Sequence, residues 1–103
     1  SQQCKNSPEC LSCKKACNQV FANSTHNCSQ VFRDAIHSCN QARKTSVEAC
    51  QNLKGKVKRD CIKLALDTSK LCKANANLNK KQCKLDAKTT RKACVESCYL
   101  PVV

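Results

Sequence analysis

The segment CNQVFANSTHNCSQVFRDAIHSC, residues 17–39, sets the period of the chain, because cysteine recurs in it every eleven residues. The spacing continues to Cys94, which gives cysteines at 17, 28, 39, 50, 61, 72, 83 and 94. Eleven residues of an α-helix make about three turns plus 20° and rise ~16.5 Å. The repeat therefore predicts a helix with all its cysteines on one side, since an odd spacing along a β-strand would alternate between two faces.

Cysteines ~16.5 Å apart on one helix cannot bond, because a disulfide needs Cα atoms within about 7 Å. Folding the chain once at Gly55, its only glycine, brings them into antiparallel pairs whose numbers add up to 111. Cys13 and Cys98, four residues outside Cys17 and Cys94, continue the series. The predicted cross-links are 13–98, 17–94, 28–83, 39–72 and 50–61, with Cys4–Cys10 closing a small loop.

The sequence thus predicts one all-α domain over residues 1–103, a long antiparallel two-helix hairpin cross-linked by a ladder of disulfides. Ser7 and Pro8 have the residue types of a helix N-cap and first position. The predicted elements are a helix over 8–54, a turn at 55–56 and a helix over 57–99, with Pro101 just beyond. Residues 23–27 are poor helix formers, so a break there stays open.

We write +n for the residue n positions after a ladder cysteine. Positions +3, +4 and +7 fall within about 60° of the cysteines on a helix, and they are expected to line the contact between the helices. Their members are apolar or small: Val20, Phe21, Val31, Phe32, Ala35, Ser46, Leu64, Ala65, Ala76 and Ala87. Position +9, which includes His26 and His37, is expected to face solvent.

Four leucines of the second helix, Leu64, Leu71, Leu78 and Leu85, are spaced seven residues apart, as in a coiled coil. One interpretation is that they cover the flank of the hairpin. The other is an interface for a membrane, a protein or a second hairpin. The seven-residue spacing of the leucines moves gradually away from the side marked by the eleven-residue spacing of the cysteines. Leu78 and Leu85 should therefore be partly exposed. Leu71, Leu78 and Leu85 are therefore the predicted partner or dimer face.

The composition is typical of a secreted disulfide scaffold, with twelve cysteines in 103 residues and no Trp or Met. The core of a small domain with this composition depends on covalent cross-links for its stability. No apolar run reaches the ~18–20 residues of a membrane span, and Ser1 is expected to follow a removed signal peptide. The predicted location is extracellular, and Asn23 heads a sequon for glycosylation.

The net charge of +12, from nineteen Lys and Arg against seven acids, favours an anionic membrane or an acidic protein surface as partner. Nucleic acid is disfavoured, because aromatic residues make up only 3% and supply no stacking platform. The acids are also spread along the chain, so no clean basic face is expected.

The chain contains none of the usual catalytic motifs, such as a nucleophile elbow, a phosphate loop or a zinc-hydrolase motif. The prediction is a protein without catalytic, cofactor or metal sites, with His26 and His37 as surface residues. If the cysteines were free, storage of soft metal ions by thiolates would be an alternative function.

Two Cys-x3-Cys motifs, Cys13-Lys-Lys-Ala-Cys17 and Cys94-Val-Glu-Ser-Cys98, meet in the predicted hairpin. In this the chain resembles the plant α-hairpinins and the hairpin neurotoxins of nemertean worms, which are shorter and lack the eleven-residue ladder. The resemblance implies a secreted defence or toxin peptide. The predicted function is a secreted, non-enzymatic basic effector, toxin-like or antimicrobial, acting on an anionic membrane or channel surface.

The alternative is an extracellular structural or surface-recognition rod, including an ice-binding one. The eleven-residue period resembles that of the helical antifreeze proteins of fish, whose threonines recur at this interval. Here position +7 includes Thr68, Asn79 and Thr90, which are expected at the contact between the helices.

Overall fold

The computed structural model describes Cys4 and residues 7–99, and these residues form two helices and no strand. Helix α1 spans Pro8–Ala49 and helix α2 spans Gly55–Cys98. They pack as an antiparallel hairpin, which confirms the predicted fold class. Two compact units can be distinguished: the turn unit, residues 30–80, and the terminal unit, residues 1–29 and 81–103.

All twelve cysteines are paired as predicted, and none is free. In the turn unit the Cα–Cα distances are 5.7 Å for Cys39–Cys72 and 5.8 Å for Cys50–Cys61. In the terminal unit the distances are 5.8 Å for 13–98, 5.8 Å for 17–94, 5.7 Å for 28–83 and 5.3 Å for 4–10. Each cross-helix disulfide thus holds the two backbones at nearly the same separation.

Helix α1 begins as its sequence predicts. The Ser7 hydroxyl oxygen accepts a hydrogen bond from the Cys10 backbone N–H at 3.2 Å, which is N-cap geometry. The helix continues without a break through residues 23–27. There the Thr25 hydroxyl donates to the Ala22 carbonyl at 3.0 Å, which satisfies this polar side chain on its own helix.

The turn lies earlier than predicted, at residues 50–54 instead of 55–56, so the predicted helix bounds at 54 and 57 are wrong. The last turn of α1 tightens, with the Cys50 N–H donating to the Val47 carbonyl at 3.0 Å. Gly55 has the expected left-handed backbone, with φ +62°, but it is the first residue of α2. Five residues cross more easily between helix axes ~8–10 Å apart than two do.

The far end of α2 differs from its prediction by one residue. The helix ends at Cys98, and the following Tyr99 forms a turn in which its N–H donates to the Glu96 carbonyl at 3.1 Å. Pro101, expected to follow the helix, lies outside the described residues.

The buried core consists mainly of cysteines and alanines. Position +4 of α2 is buried as predicted, with Ala65, Ala76 and Ala87 at 5–8% exposure. Phe21, Phe32 and Ala35 are half-buried, whereas Ser46 is exposed, contrary to its prediction. The small alanine side chains at position +4 of α2 let the two backbones approach closely enough for a disulfide.

Position +3 is exposed, which contradicts its predicted place at the contact. Val20 and Val31 are each 56% exposed and Leu64 is 69% exposed. The reason is that the contact between the helices is not centred on the cysteines but is shifted towards positions +4 and +8. Ser69, at +8, is accordingly only 6% exposed. Position +3 lies on the other side of the cysteine line and so points outwards.

Candidate functional site

The densest sulfur cluster lies where the two Cys-x3-Cys motifs meet in the terminal unit. The sulfur atoms of Cys13, Cys17 and Cys98 lie within 4.8 Å of one another, and Cys17 Sγ is 3.8 Å from Cys98 Sγ. All of them are in disulfides. Because metal ions bind the thiolate, the oxidised chain has no ligands to offer here, and this argues against the metal-storage alternative.

The other predicted polar candidates lie on the surface of α1. His26 and His37 are exposed, and so is Asn23. The Asn23 side-chain oxygen accepts a hydrogen bond from Gln19 Nε2 at 3.2 Å. Its glycosylation remains a prediction.

The basic residues of the two helices are segregated by position. Helix α1 carries five Lys and Arg against three acids, and α2 carries twelve against four. None of these seventeen basic residues stands at position +3, +7 or +10, which are neighbouring positions covering about 65° of a helix surface. We call these positions the lysine-free face, and positions +1, +5 and +9 on the opposite flank the basic face.

Equal positions of the two helices lie on the same side, and a groove in the terminal unit brings several of them together. Val20 and Ser24 of α1, at +3 and +7, line it together with Asp86 and Thr90 of α2, at +3 and +7. Its other lining residues are Cys17, Phe21, Asn27, Cys28, Cys83, Ala87, Arg91 and Cys94. The physical reason is that antiparallel helices cross-linked through the same position are related by a twofold rotation.

On the basic face of the terminal unit, lysines surround exposed apolar side chains. Leu85, 55% exposed, lies among Lys81, Lys84 and Lys88. A neighbouring surface patch is lined by Lys88, Arg91, Lys92, Val95, Glu96 and Tyr99. Cations beside apolar and aromatic groups are the combination found where proteins lie on anionic lipid.

Aromatic rings of α1 hold basic side chains of α2 at position +8. Arg91 lies 4.0 Å from the ring centre of Phe21 in the terminal unit. Lys80 lies 4.0 Å from the ring centre of Phe32 in the turn unit. These cation–π contacts orient charges at the edge of the basic face.

The leucine stripe is exposed, as expected for Leu78 and Leu85. The exposures are 69% for Leu64, 67% for Leu71, 61% for Leu78 and 55% for Leu85, so the leucines are not packed against the flank of the hairpin, contrary to the first interpretation. The stripe does not form one face, however. Leu64 and Leu71, at +3 and +10, belong to the lysine-free face. Leu78, at +6, lies just beyond its edge, whereas Leu85, at +2, lies beside the basic face.

Position +7 of α2 is also placed differently from its prediction. Thr68, Asn79 and Thr90 are exposed, although they were expected at the contact between the helices. Because the contact between the helices is shifted towards positions +4 and +8, position +7 lies at the surface.

The segregation of charge corrects the expectation that the spread of acids leaves no basic face. The acids are indeed spread along the sequence, but the bases are absent from three neighbouring positions of the repeat. Sorting the Lys and Arg residues by their position in the eleven-residue repeat would have found this signal without a structure.

No protein-family model matches this chain, and no curated protein or solved structure is significantly similar to it. By its fold and its two faces, the protein is a small, disulfide-rich helical hairpin with a basic and a lysine-free side. Among the described residues, neither helix contains a stretch apolar enough and long enough to cross a bilayer.

Proposed function

We propose that the protein is a secreted, non-enzymatic basic effector that binds anionic membrane surfaces through its basic face. One observation carries this proposal: the Lys and Arg residues are confined to part of each helix surface and, in the terminal unit, surround exposed apolar groups. A lysine or arginine near an anionic membrane contributes about 1 kcal/mol to binding. Six disulfides suit a protein that works in an oxidising extracellular medium.

Binding to vesicles of mixed neutral and anionic lipid tests the proposal. In the triple variant Lys84→Gln, Lys88→Gln, Lys92→Gln, three charges of the basic face are removed. We expect affinity to fall roughly 100-fold at low salt, from about 1 kcal/mol per residue. The matched control is Lys54→Gln, Lys56→Gln, Lys63→Gln, which has the same net charge but keeps positions +1, +5 and +9 unchanged.

The control should lose clearly less affinity than the basic-face variant, and high salt should weaken binding of the wild-type protein. Equal losses in both variants would mean that net charge alone matters. Binding to an acidic protein but not to anionic vesicles would replace the membrane as partner. Release of a trapped dye from the vesicles would extend the proposal to toxin-like or antimicrobial action, and binding without release would limit it to attachment.

A second candidate function is recognition of an extended surface such as ice by the lysine-free face. The observation in its favour is that Thr68 and Asn79, eleven residues apart in the turn unit, are exposed on a side without basic residues. Faceted ice crystals at millimolar protein, lost in Thr68→Lys, would support it. Unshaped discs with the wild-type protein would rule it out.

A further inference from the structure

The turn unit exposes an apolar, almost uncharged face on a strongly basic protein. Val31 on α1 is 56% exposed, and Val57, Leu64 and Leu71 on α2 are 63%, 69% and 67% exposed. All four stand at positions +3, +7 or +10, so they share the lysine-free face. Exposed apolar groups that share one side of a soluble protein mark an interaction site.

Large and small side chains are divided between the two helices on this face. Helix α2 contributes the large ones, Val57, Leu64 and Leu71, whereas α1 contributes mainly small ones. The small residues of α1 at these positions are Ala35, Ser38, Ala42, Ser46 and Ala49. The surface is thus complementary to itself if α2 of one molecule lies against α1 of another.

We propose that the partner of this face is a second copy of the same chain, paired through a twofold axis. A twofold contact uses the same patch on both molecules, and it would place the leucines of each α2 over the alanines and serines of the other α1. This pairing differs from a dimer through Leu71, Leu78 and Leu85, because Leu78 and Leu85 lie outside the face.

Charge determines the side on which a second copy can bind. Two molecules of net charge +12 repel each other, and the repulsion is least where no Lys or Arg points towards the partner. The lysine-free face of the turn unit has a single charged side chain, Asp60. A dimer formed there would leave both basic faces outside the contact.

Sedimentation equilibrium of the oxidised wild-type protein is the test, over concentrations up to about 1 mM because repulsion between two molecules of net charge +12 weakens the dimer. We expect the mass to rise from 11.4 kDa towards twice that value. Leu64→Asp should raise the dissociation constant about tenfold or more, because each copy would bury an unpaired charge. Val31→Asp, on the other helix of the same face, should do the same.

The matched control is Leu66→Asp, which changes an exposed leucine two residues away at position +5 on the basic face. It should leave the dissociation constant within about twofold, since a surface change away from the contact has little effect. A monomeric wild-type protein at 1 mM, or a dimer weakened equally by Leu66→Asp, would overturn the proposal. Binding of the monomer to uncharged lipid vesicles, lost in Leu64→Asp, would likewise overturn it by showing that lipid covers the face.

Discussion

Lys80 Nζ lies 4.0 Å from the centre of the Phe32 ring, so that a charge of α2 rests on an aromatic side chain of α1. The contact places Phe32 at position +4 against Lys80 at +8, the two positions towards which the helix contact is turned. It therefore links the packing of the turn unit to the edge of its basic face.

A double-mutant cycle with Phe32→Leu and Lys80→Gln should give a coupling free energy of about 0.5–1 kcal/mol, as for a partly exposed cation–π pair. Guanidinium unfolding of the four proteins measures it. The same cycle with Lys70→Gln, an exposed lysine of the turn unit, should give a coupling near zero. Equal coupling in both cycles would mean that the ring does not interact with Lys80 specifically.

Removing a cross-helix disulfide should cost nearly the same at each level of the ladder. Cys50–Cys61 closes 11 residues and Cys39–Cys72 closes 33, but the neighbouring disulfides shorten the second ring to about 22 residues. The loss of chain entropy in the unfolded state then predicts that each double Cys→Ala variant loses about 3 kcal/mol of its free energy of unfolding. Unfolding by guanidinium measures both, and a loss that grows with sequence separation would contradict this view.

Ala76→Leu should destabilise the hairpin by about 1–3 kcal/mol, because it forces a large side chain into a closely packed contact. Ala76 is only 5% exposed. Ala74→Leu, two residues away on the exposed side, serves as control and should change stability by less than about 0.5 kcal/mol. If both variants unfold at the same denaturant concentration as the wild type, the small residues are not what permits the close approach.

Gly55→Ala should cost about 1–2 kcal/mol through the backbone alone, since a left-handed conformation disfavours a Cβ atom. Apart from the neighbouring residues of the chain and the backbone of α2 itself, no heavy atom lies within 4 Å of the added Cβ, so no packing clash contributes. Gly55→Asn should lose less, because Asn tolerates this conformation better. Thermal unfolding compares the two, and an Ala variant as stable as the wild type would show that the turn can change its conformation freely.

The disulfide pairs could be predicted from sequence because a fixed period and the limited reach of a disulfide leave few arrangements. The turn bounds could not, because Gly55 is compatible with either helix end and only the three-dimensional crossing decides. The exposure of Val20 and Leu64 was missed for a related reason. The cysteines mark a direction on each helix, but the bulk of Phe32 and the smallness of Ala76 turn the contact away from it.

The faces of the candidate site were predictable in part. Position in the repeat fixes which side of a helix Lys84 and Lys88 occupy, and sorting the basic residues in this way reveals the segregation. The surroundings of Leu85 could not be predicted from the heptad pattern. Residues seven apart move gradually around the helix, whereas residues eleven apart stay on nearly the same side.

Tryptic peptide mapping without reduction determines whether nested antiparallel disulfides order the two faces. Peptide TSVEACQNLK, residues 45–54, should be linked to DCIK, residues 60–63, and DAIHSCNQAR, residues 34–43, should be linked to LCK, residues 71–73. A further cut after Phe21 should separate Cys17, linked to Cys94, from Cys28, linked to Cys83. Free cysteines, or residues 45–54 linked to residues 71–73, would contradict the ladder and both faces built on it.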